Sequence, residues 1–272
     1  MNTSIAARGA GPHSSSVPGA PCWVNLSTPD LGAAEEFYHA VLGWDWRVGR
    51  LGEYYRFASV HGVPVAGLSS TEMVSSPGVW TPFFAAASAD DVVARTRERG
   101  GTTAVGPLAF PPGRAAVLAD RDGAVFGVWE GELVSDWEEW RRAAPTFVEL
   151  HTRNAFDATM FYAEVLGWAS DEPGSCDVRY EEERVVLRNH GDVVARVYSG
   201  AVDSAPDPAI RPRWQVHFFE EDVAACVEAA RAHGGRALSR GTDPPEAILT
   251  DPAGAAFVVN EAVRTARSGQ GA

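Results

Sequence analysis

The sequence predicts an α+β protein made of four βαβββ units, arranged as two tandem copies of one domain. Three observations lead there: an internal repeat in three blocks, a strand-then-helix pattern recurring within each copy, and an ordinary globular composition. The first block pairs VNLSTPDLGAAEEFYHAVLGW (24–44) with VELHTRNAFDATMFYAEVLGW (148–168). The second pairs Trp80 with Trp214, and FFAAASADDVVARTRERGG (83–101) with HFFEEDVAACVEAARAHGG (217–235). The third pairs LADRDGAVFGVWE (118–130) with LTDPAGAAFVVNE (249–261). Three blocks kept in the same order mean a duplicated domain rather than chance.

Within each copy a short alternating strand, Trp23 to Ser27 or Phe147 to His151, runs into a Thr-x-Asp/Asn helix start. Asp30 is placed to cap the first helix. That helix carries Phe37, Tyr38, Val41 and Leu42 at three-to-four spacing and stops at Gly43. Strands YYRFASV and VPVAGLS follow, joined through His61-Gly62, with His-Gly-Asp at 190–192 in the second copy. A further strand starts at Trp80 or Trp214. A second helix then ends in Gly-Gly (100–101, 234–235), and the last strand follows a D-x-x-G turn. The expected boundaries are a flexible arm at 1–20, a first domain at 21–131, a helical connector at 132–144, a second domain at 145–262 and a flexible tail at 263–272.

The chain has 272 residues, 45% apolar and 22% charged, enough for two domains with real cores. A net charge of −13 argues against a nucleic-acid groove or an anionic membrane surface as partner. All 23 basic residues are Arg, which removes P-loop and Schiff-base chemistry, both of which need a Lys amine. Cys22, Cys176 and Cys226 are odd in number and scattered, so a disulfide framework is not expected and a cytoplasmic setting is. The first twenty residues lack the apolar run of a secretory signal, and no stretch approaches a membrane span.

The set Thr-x-Asp/Asn…Phe-Tyr…Leu-Gly-Trp (28–44, 152–168), the Trp-led strands, the Gly-Gly helix ends and DPAGAAF (251–257) resembles the vicinal oxygen chelate superfamily. That group contains glyoxalase I, bleomycin-resistance proteins and extradiol dioxygenases, and the resemblance covers about residues 21–262, in the tandem glyoxalase-like form. It implies that the paired units curl into open β-sheet cups in which small-molecule ligands sit. It also implies metal-ligand positions, which here fall on Trp23 and Phe147, Thr81 and Gln215, and Gly127 and Val258. None of these is a His, Asp or Glu, so the standard metal site is not expected. With four units in one chain both cups can be completed internally, so a monomer or a loose homodimer is expected.

The second copy carries a different polar set. Side chains two apart on a strand share a face, which aligns Phe147 with Glu149 and His151, Gln215 with His217, and Val258 with Asn260. Three readings of Glu149, His151 and His217 compete. They could hold a divalent metal at a displaced two-His-one-carboxylate site. They could act without any cofactor as an acid–base group, or they could be hydrogen-bonded core residues. Arg196 stands where the first copy has Gly67, and an inward guanidinium there could grip an anionic oxygen. Trp23, Trp80, Trp129 and Trp214 are expected on cup-facing positions, as walls for a flat ligand or as core. Trp44 and Trp168 are expected in the core, and the Glu181 to Glu183 run as a solvated face. The first functional reading is a tailoring or detoxifying enzyme that isomerises, cyclises or eliminates by moving protons. The alternatives are a ligand-sequestering protein and, third, a metal-dependent oxygenase or lyase.

Overall fold

The computed structural model describes residues 17–49, 52–71, 77–110, 112–133, 139–141, 146–168, 170, 175–182, 184–189, 191–199 and 211–262. The first half folds as β1 (Pro21–Thr28), α1 (Leu31–Leu42), β2 (Asp45–Val48), β3 (Tyr55–Val60) and β4 (Val63–Ser70). It continues as β5 (Val79–Ala85), α2 (Ala89–Glu98), β6 (Thr102–Phe110), β7 (Gly113–Ala119) and β8 (Val125–Gly131). The second half repeats the order with β9 (Thr146–His151), α3 (Ala155–Leu166), β10 (Asp177–Glu181), β11 (Arg184–Asn189) and β12 (Asp192–Tyr198). Then come β13 (Arg213–Glu220), α4 (Val223–Ala232), β14 (Arg236–Arg240), β15 (Glu246–Thr250) and β16 (Ala256–Glu261).

Each half forms one eight-stranded sheet, ordered β2-β3-β4-β1-β5-β8-β7-β6 and β10-β11-β12-β9-β13-β16-β15-β14. The two βαβββ units of a half meet through the antiparallel pairs β1–β5 and β9–β13. The four-unit α+β architecture is therefore present, and each sheet is complete within one chain.

Local chemistry sets the element ends. Asp30 accepts from the Ala33 N–H at 3.0 Å and Asn154 from the Asp157 N–H at 3.1 Å, capping α1 and α3. Both helices stop at a glycine in the left-handed region, Gly43 at φ 64° and Gly167 at φ 75°. The D-x-x-G turns are held by their aspartates: Asp120 Oδ1 accepts from the N–H groups of Asp122 and Ala124, and Asp251 Oδ1 from that of Ala255.

The core lies between the two halves, where the even-numbered residues of the central strands meet the helices. Trp80 Nε1 donates to Tyr38 Oη at 2.9 Å, and Tyr38 Oη donates to Asp251 Oδ2, in the other half, at 3.2 Å. The second copy mirrors this: Trp214 Nε1 donates to Tyr162 Oη at 2.9 Å, which donates to Asp120 Oδ2 at 3.0 Å. Aromatic contacts cross the same boundary, among them Trp44 to Phe218 at 5.2 Å and Phe84 to Trp214 at 5.1 Å. Such pairs add about 0.5–1.5 kcal/mol each beyond their buried area.

These contacts correct one expectation. Trp80 and Trp214 do not face the cups. They sit at even positions on β5 and β13, 4% and 5% exposed, with their indole N–H groups consumed by the tyrosines. Trp44 and Trp168 are buried in the same core.

Gly19 and Ala20, expected in the arm, are buried. The Gly19 carbonyl accepts from Trp168 Nε1 at 2.8 Å, and its N–H donates to Ala85 at 2.8 Å. Residues 1–16, the tail 263–272 and most of the connector lie outside the described residues. Within the connector, residues 139–141 are helical. Trp140 there is buried and donates to the Val65 carbonyl at 2.7 Å, while Arg141 reaches the Val193 carbonyl at 3.3 Å.

Replacing Tyr162 by Phe removes both the acceptor for Trp214 and the donor to Asp120 in a dry core. We expect a loss of about 1–3 kcal/mol in a urea unfolding titration. Tyr38→Phe should lose a similar amount, because it breaks the mirrored relay.

Candidate functional site

The register allows the two cups to be compared position by position. In the second sheet Gln215 lies opposite Glu149, and His217 lies opposite Phe147. Arg196 is beside Glu149 on β12, and Val258 is beside His217 on β16. In the first sheet these places hold Thr81 opposite Asn25, Phe83 opposite Trp23, Gly67 beside Asn25 and Gly127 beside Phe83. The backbone frame is the same, but the first cup has no titratable group at any of these positions.

The first cup is lined by aromatics. Trp23 lies edge-on to Phe57 at 6.0 Å, near Trp140 at 6.5 Å, and donates to Tyr55 Oη at 3.3 Å. Trp129 donates to the Glu132 carbonyl at 3.0 Å. Gly67 leaves room for the Tyr55 hydroxyl, which any side chain there would meet. Trp23 and Trp129 are half-buried.

In the second cup Glu149, His151, Gln215 and His217 are each no more than 6% exposed. With Arg184, Arg196, Glu246, Ile248 and Val258 they surround a cavity of about 40 Å³. At roughly 10–15 Å³ per water this holds about three waters, or one polar group of a ligand.

His151 Nε2 stands 3.1 Å from Glu149 Oε1, a close but poorly directed contact, and neither ring nitrogen has a well-formed hydrogen bond. Glu149 Oε2 is 3.7 Å from Arg184 Nη1. Burial pushes the Glu149 carboxyl up, but the contact with His151 and the basic side chains around it, Arg184 among them, outweigh it and bring it to about 2. It is therefore ionised at neutral pH. His217 stacks on Phe147, with centroids 4.2 Å apart and planes at 23°. Burial carries its imidazole down from 6.5 to about 3, against the opposing pull of Glu149, so the ring is neutral.

Asn260, half-buried at the cup rim, places its Nδ2 3.2 Å from His217 Nδ1 and 3.4 Å from the Phe218 carbonyl. Arg196 packs its guanidinium on Phe147, with Cζ 4.6 Å from the ring centroid, and makes no ion pair among the described residues.

The structure thus brings together Glu149, His151, Gln215, His217, Arg196, Phe147 and Asn260. It leaves Trp23 and Trp129 in the other cup, and Trp80 and Trp214 in the core. Sequence reasoning missed Arg184, Glu246 and Trp140. Arg184 follows the Glu181–Glu183 run and matches a Tyr in the first copy, so the repeat gave no signal for it. Trp140 sat in a connector read only as a spacer.

Paired βαβββ units whose sheet curls around a polar cup define the glyoxalase-like class of fold. The chain belongs to the vicinal oxygen chelate superfamily, in its tandem form. A family model for the glyoxalase-like domain matches residues 147–260. The anthracycline biosynthesis protein DauV of Streptomyces sp. (strain C5) is 32% identical over 90% of this chain and 94% of its own. The anthracycline biosynthesis protein DnrV of Streptomyces peucetius is 31% identical over the same shares. The Mn(II)-bound glyoxalase from Novosphingobium aromaticivorans superposes with a TM-score of 0.56 at 19% identity, covering 91% of this chain and 83% of its own, a likeness of fold.

The superfamily's metal does not fit the residues present. The implied positions hold Phe147, Gln215 and Val258, and the Phe147 ring carries His217 and Arg196 on it. The displaced alternative fits no better. Among the described residues no three His, Cys, Asp or Glu side chains form a metal-holding group, and His217 Nδ1 lies 3.2 Å from the Asn260 amide nitrogen. Among the same residues, no helix is long and apolar enough to cross a membrane.

The sign of the pH dependence follows from both shifts. The folded pKa of His217 lies below its ordinary 6.5, so the unfolded chain takes up a proton that the folded chain refuses, and stability falls as pH drops from 6.5 toward about 3. Glu149 acts in the same direction from its ordinary 4.5 toward about 2. We expect His217→Phe to flatten the first part of this acid slope, between about pH 6.5 and 4.5, in unfolding titrations run at several pH values against wild type.

Proposed function

We propose that the protein is a small-molecule tailoring enzyme of secondary metabolism that works by proton transfer in the second cup. The observation that carries this reading is the buried Glu149–His151 contact on the cavity wall. We assign the ring proton to Nε2, the nitrogen 3.1 Å from the ionised carboxylate, which leaves the Nδ1 lone pair to act as base. Glu149 then orients His151 and stabilises its imidazolium, and Arg184 keeps Glu149 charged. Isomerisation, cyclisation and elimination all need such a base and no redox partner. The names of the related proteins point to polycyclic, carbonyl-rich compounds as the substrate class. A cavity of about 40 Å³ suits the reacting oxygenated end of such a molecule.

A second reading, sequestration without turnover, is favoured by the first cup, whose half-buried Trp23 and Trp129 offer ring faces with no titratable neighbour on the central strands.

The two readings separate in deuterated water. Wild type should wash deuterium into the acidic C–H position of an anthracycline-type polycyclic ketone, read by mass spectrometry, and His151→Ala should slow this about 100-fold or more. Tight binding seen by Trp fluorescence, with no wash-in above the protein-free rate, would instead establish sequestration.

A further inference from the structure

Two arginines on the wall of the second cup carry more hydrogen-bonding capacity than the protein uses. Arg184 on β11 and Arg196 on β12 both line the cavity of about 40 Å³. Each lies over an aromatic ring, Arg196 on Phe147 at 4.6 Å and Arg184 on Tyr198 at 4.9 Å. A stacked guanidinium keeps its five N–H donors in the plane of the fork, clear of the ring beneath. Arg196 makes no hydrogen bond or ion pair among the described residues, and Arg184 makes only the 3.7 Å contact with Glu149. Arg188 differs, because Glu181 takes its guanidinium at 3.0 and 2.7 Å. The register brings Arg184 and Arg196 to one place. Arg196 is opposite Val186, and Arg184 is two residues along the same face. Such diagonal neighbours sit about 7–8 Å apart, within reach of long side chains. In the first half the same places hold Tyr55 and Gly67, and the Tyr55 hydroxyl occupies the space that a side chain at Gly67 would need. Between the copies the two positions change together, from one tyrosine filling that space to two cations sharing it.

We propose that Arg184 and Arg196 form a carboxylate-binding subsite, and that the ligand of the second cup is a carboxylic acid anchored there. The charge balance supports this. Glu149 is the carboxylate that acts on both arginines, while Glu181 is held by Arg188 and Glu246 stands across the cup on β15. Two guanidiniums therefore share one carboxylate, and the pair is short of one negative charge. Burial, together with repulsion from Arg184 and Arg188, disfavours the charged form of Arg196, and a bound anion relieves that strain. A carboxylate supplies one negative charge and two coplanar oxygens that match the guanidinium fork. A phosphate dianion brings more charge than the pair lacks. The cavity of about 40 Å³ admits one such group and no ring system, so the rest of the molecule lies outside it. The carboxylate is an anchor and does not react. What the protein does to the anchored molecule rests on the proton-transfer reading, whereas how it is held does not.

Calorimetric titration of the full chain with an anthraquinone monocarboxylate and the matching carboxamide tests this. The acid should bind about 10- to 100-fold more tightly than the amide at neutral pH. Arg184→Gln and Arg196→Gln should each lower that preference about 10-fold. Arg196→Lys, which keeps the charge but loses the fork, should restore part of it. Arg179→Gln is the control for net charge, since Arg179 is exposed on β10 beside Asp177, and it should leave the preference unchanged. Equal binding of acid and amide, or no binding of either up to about 1 mM, overturns the subsite. So does a preference that survives both Gln substitutions together, or one that falls as far in Arg179→Gln. The wild-type comparison of acid with amide decides even if a variant fails to fold. If the acid preference depends on both arginines while deuterium wash-in is absent, the subsite stands and the proton-transfer reading falls. If the neutral ketone shows wash-in while acid and amide bind alike, the reverse is true.

Discussion

A tyrosine hydroxyl with no exposed surface must be satisfied where it lies. Tyr38 and Tyr162 are satisfied by carboxylates from the opposite half, Asp251 and Asp120. Each tyrosine also accepts from a tryptophan on the central strand of its own half. The relay therefore ties three things at once: the first helix of one half, the D-x-x-G turn of the other, and the facing of the strand that begins at the tryptophan. Burial pushes the Asp120 and Asp251 carboxyls up, and the turn amides and tyrosine hydroxyls pull them back. The two halves are held by hydrogen bonds that water cannot replace once the core is closed.

That constraint reaches the cups through strand parity. With Trp80 and Trp214 committed to the core, alternation sends Thr81, Phe83, Gln215 and His217 to the opposite face. The antiparallel pairing with β1 and β9 then sets each of them against a defined neighbour. A shift of one residue would put His217 and Glu149 into the inter-half core and the tryptophans into the cup. The chemistry of the second cup is thus positioned by contacts on the far side of the sheet.

The repeat made the fold legible because its blocks contain the residues the core depends on: Tyr38 and Tyr162, Trp80 and Trp214, Asp120 and Asp251. Their recurrence marks structure. The cup was legible by the opposite signal, in places where the copies differ, such as Asn25 against Glu149, Ser27 against His151 and Gly67 against Arg196. Trp80 and Trp214 were placed on the wrong face because an aromatic at the start of a strand fits a pocket wall as well as a core, and only parity counted from the cup residues separates the two. Arg184 was hidden for a physical reason: its neighbours Glu181 and Glu182 carry the same run outward, and a charged run reads as solvated whether or not one member turns in. His217 meets Asn260 through a long-range contact of 3.2 Å, and no local pattern encodes that.

The first half serves as an internal control for what the polar cluster is for. It builds the same eight-stranded order, the same caps and the same relay with Asn25, Ser27, Phe83 and Trp129 at the places held by Glu149, His151, His217 and Asn260. None of the four polar residues is therefore required to form the sheet. Burying an ionised carboxylate, two imidazoles and a guanidinium costs free energy that an aromatic cup of the same shape avoids. The second half bears that cost and still leaves His217 Nε2 without a hydrogen-bond partner among the described residues. A cluster that the fold does not need, that opposes stability on acidification and that lines a cavity is what the proposed proton-transfer function calls for.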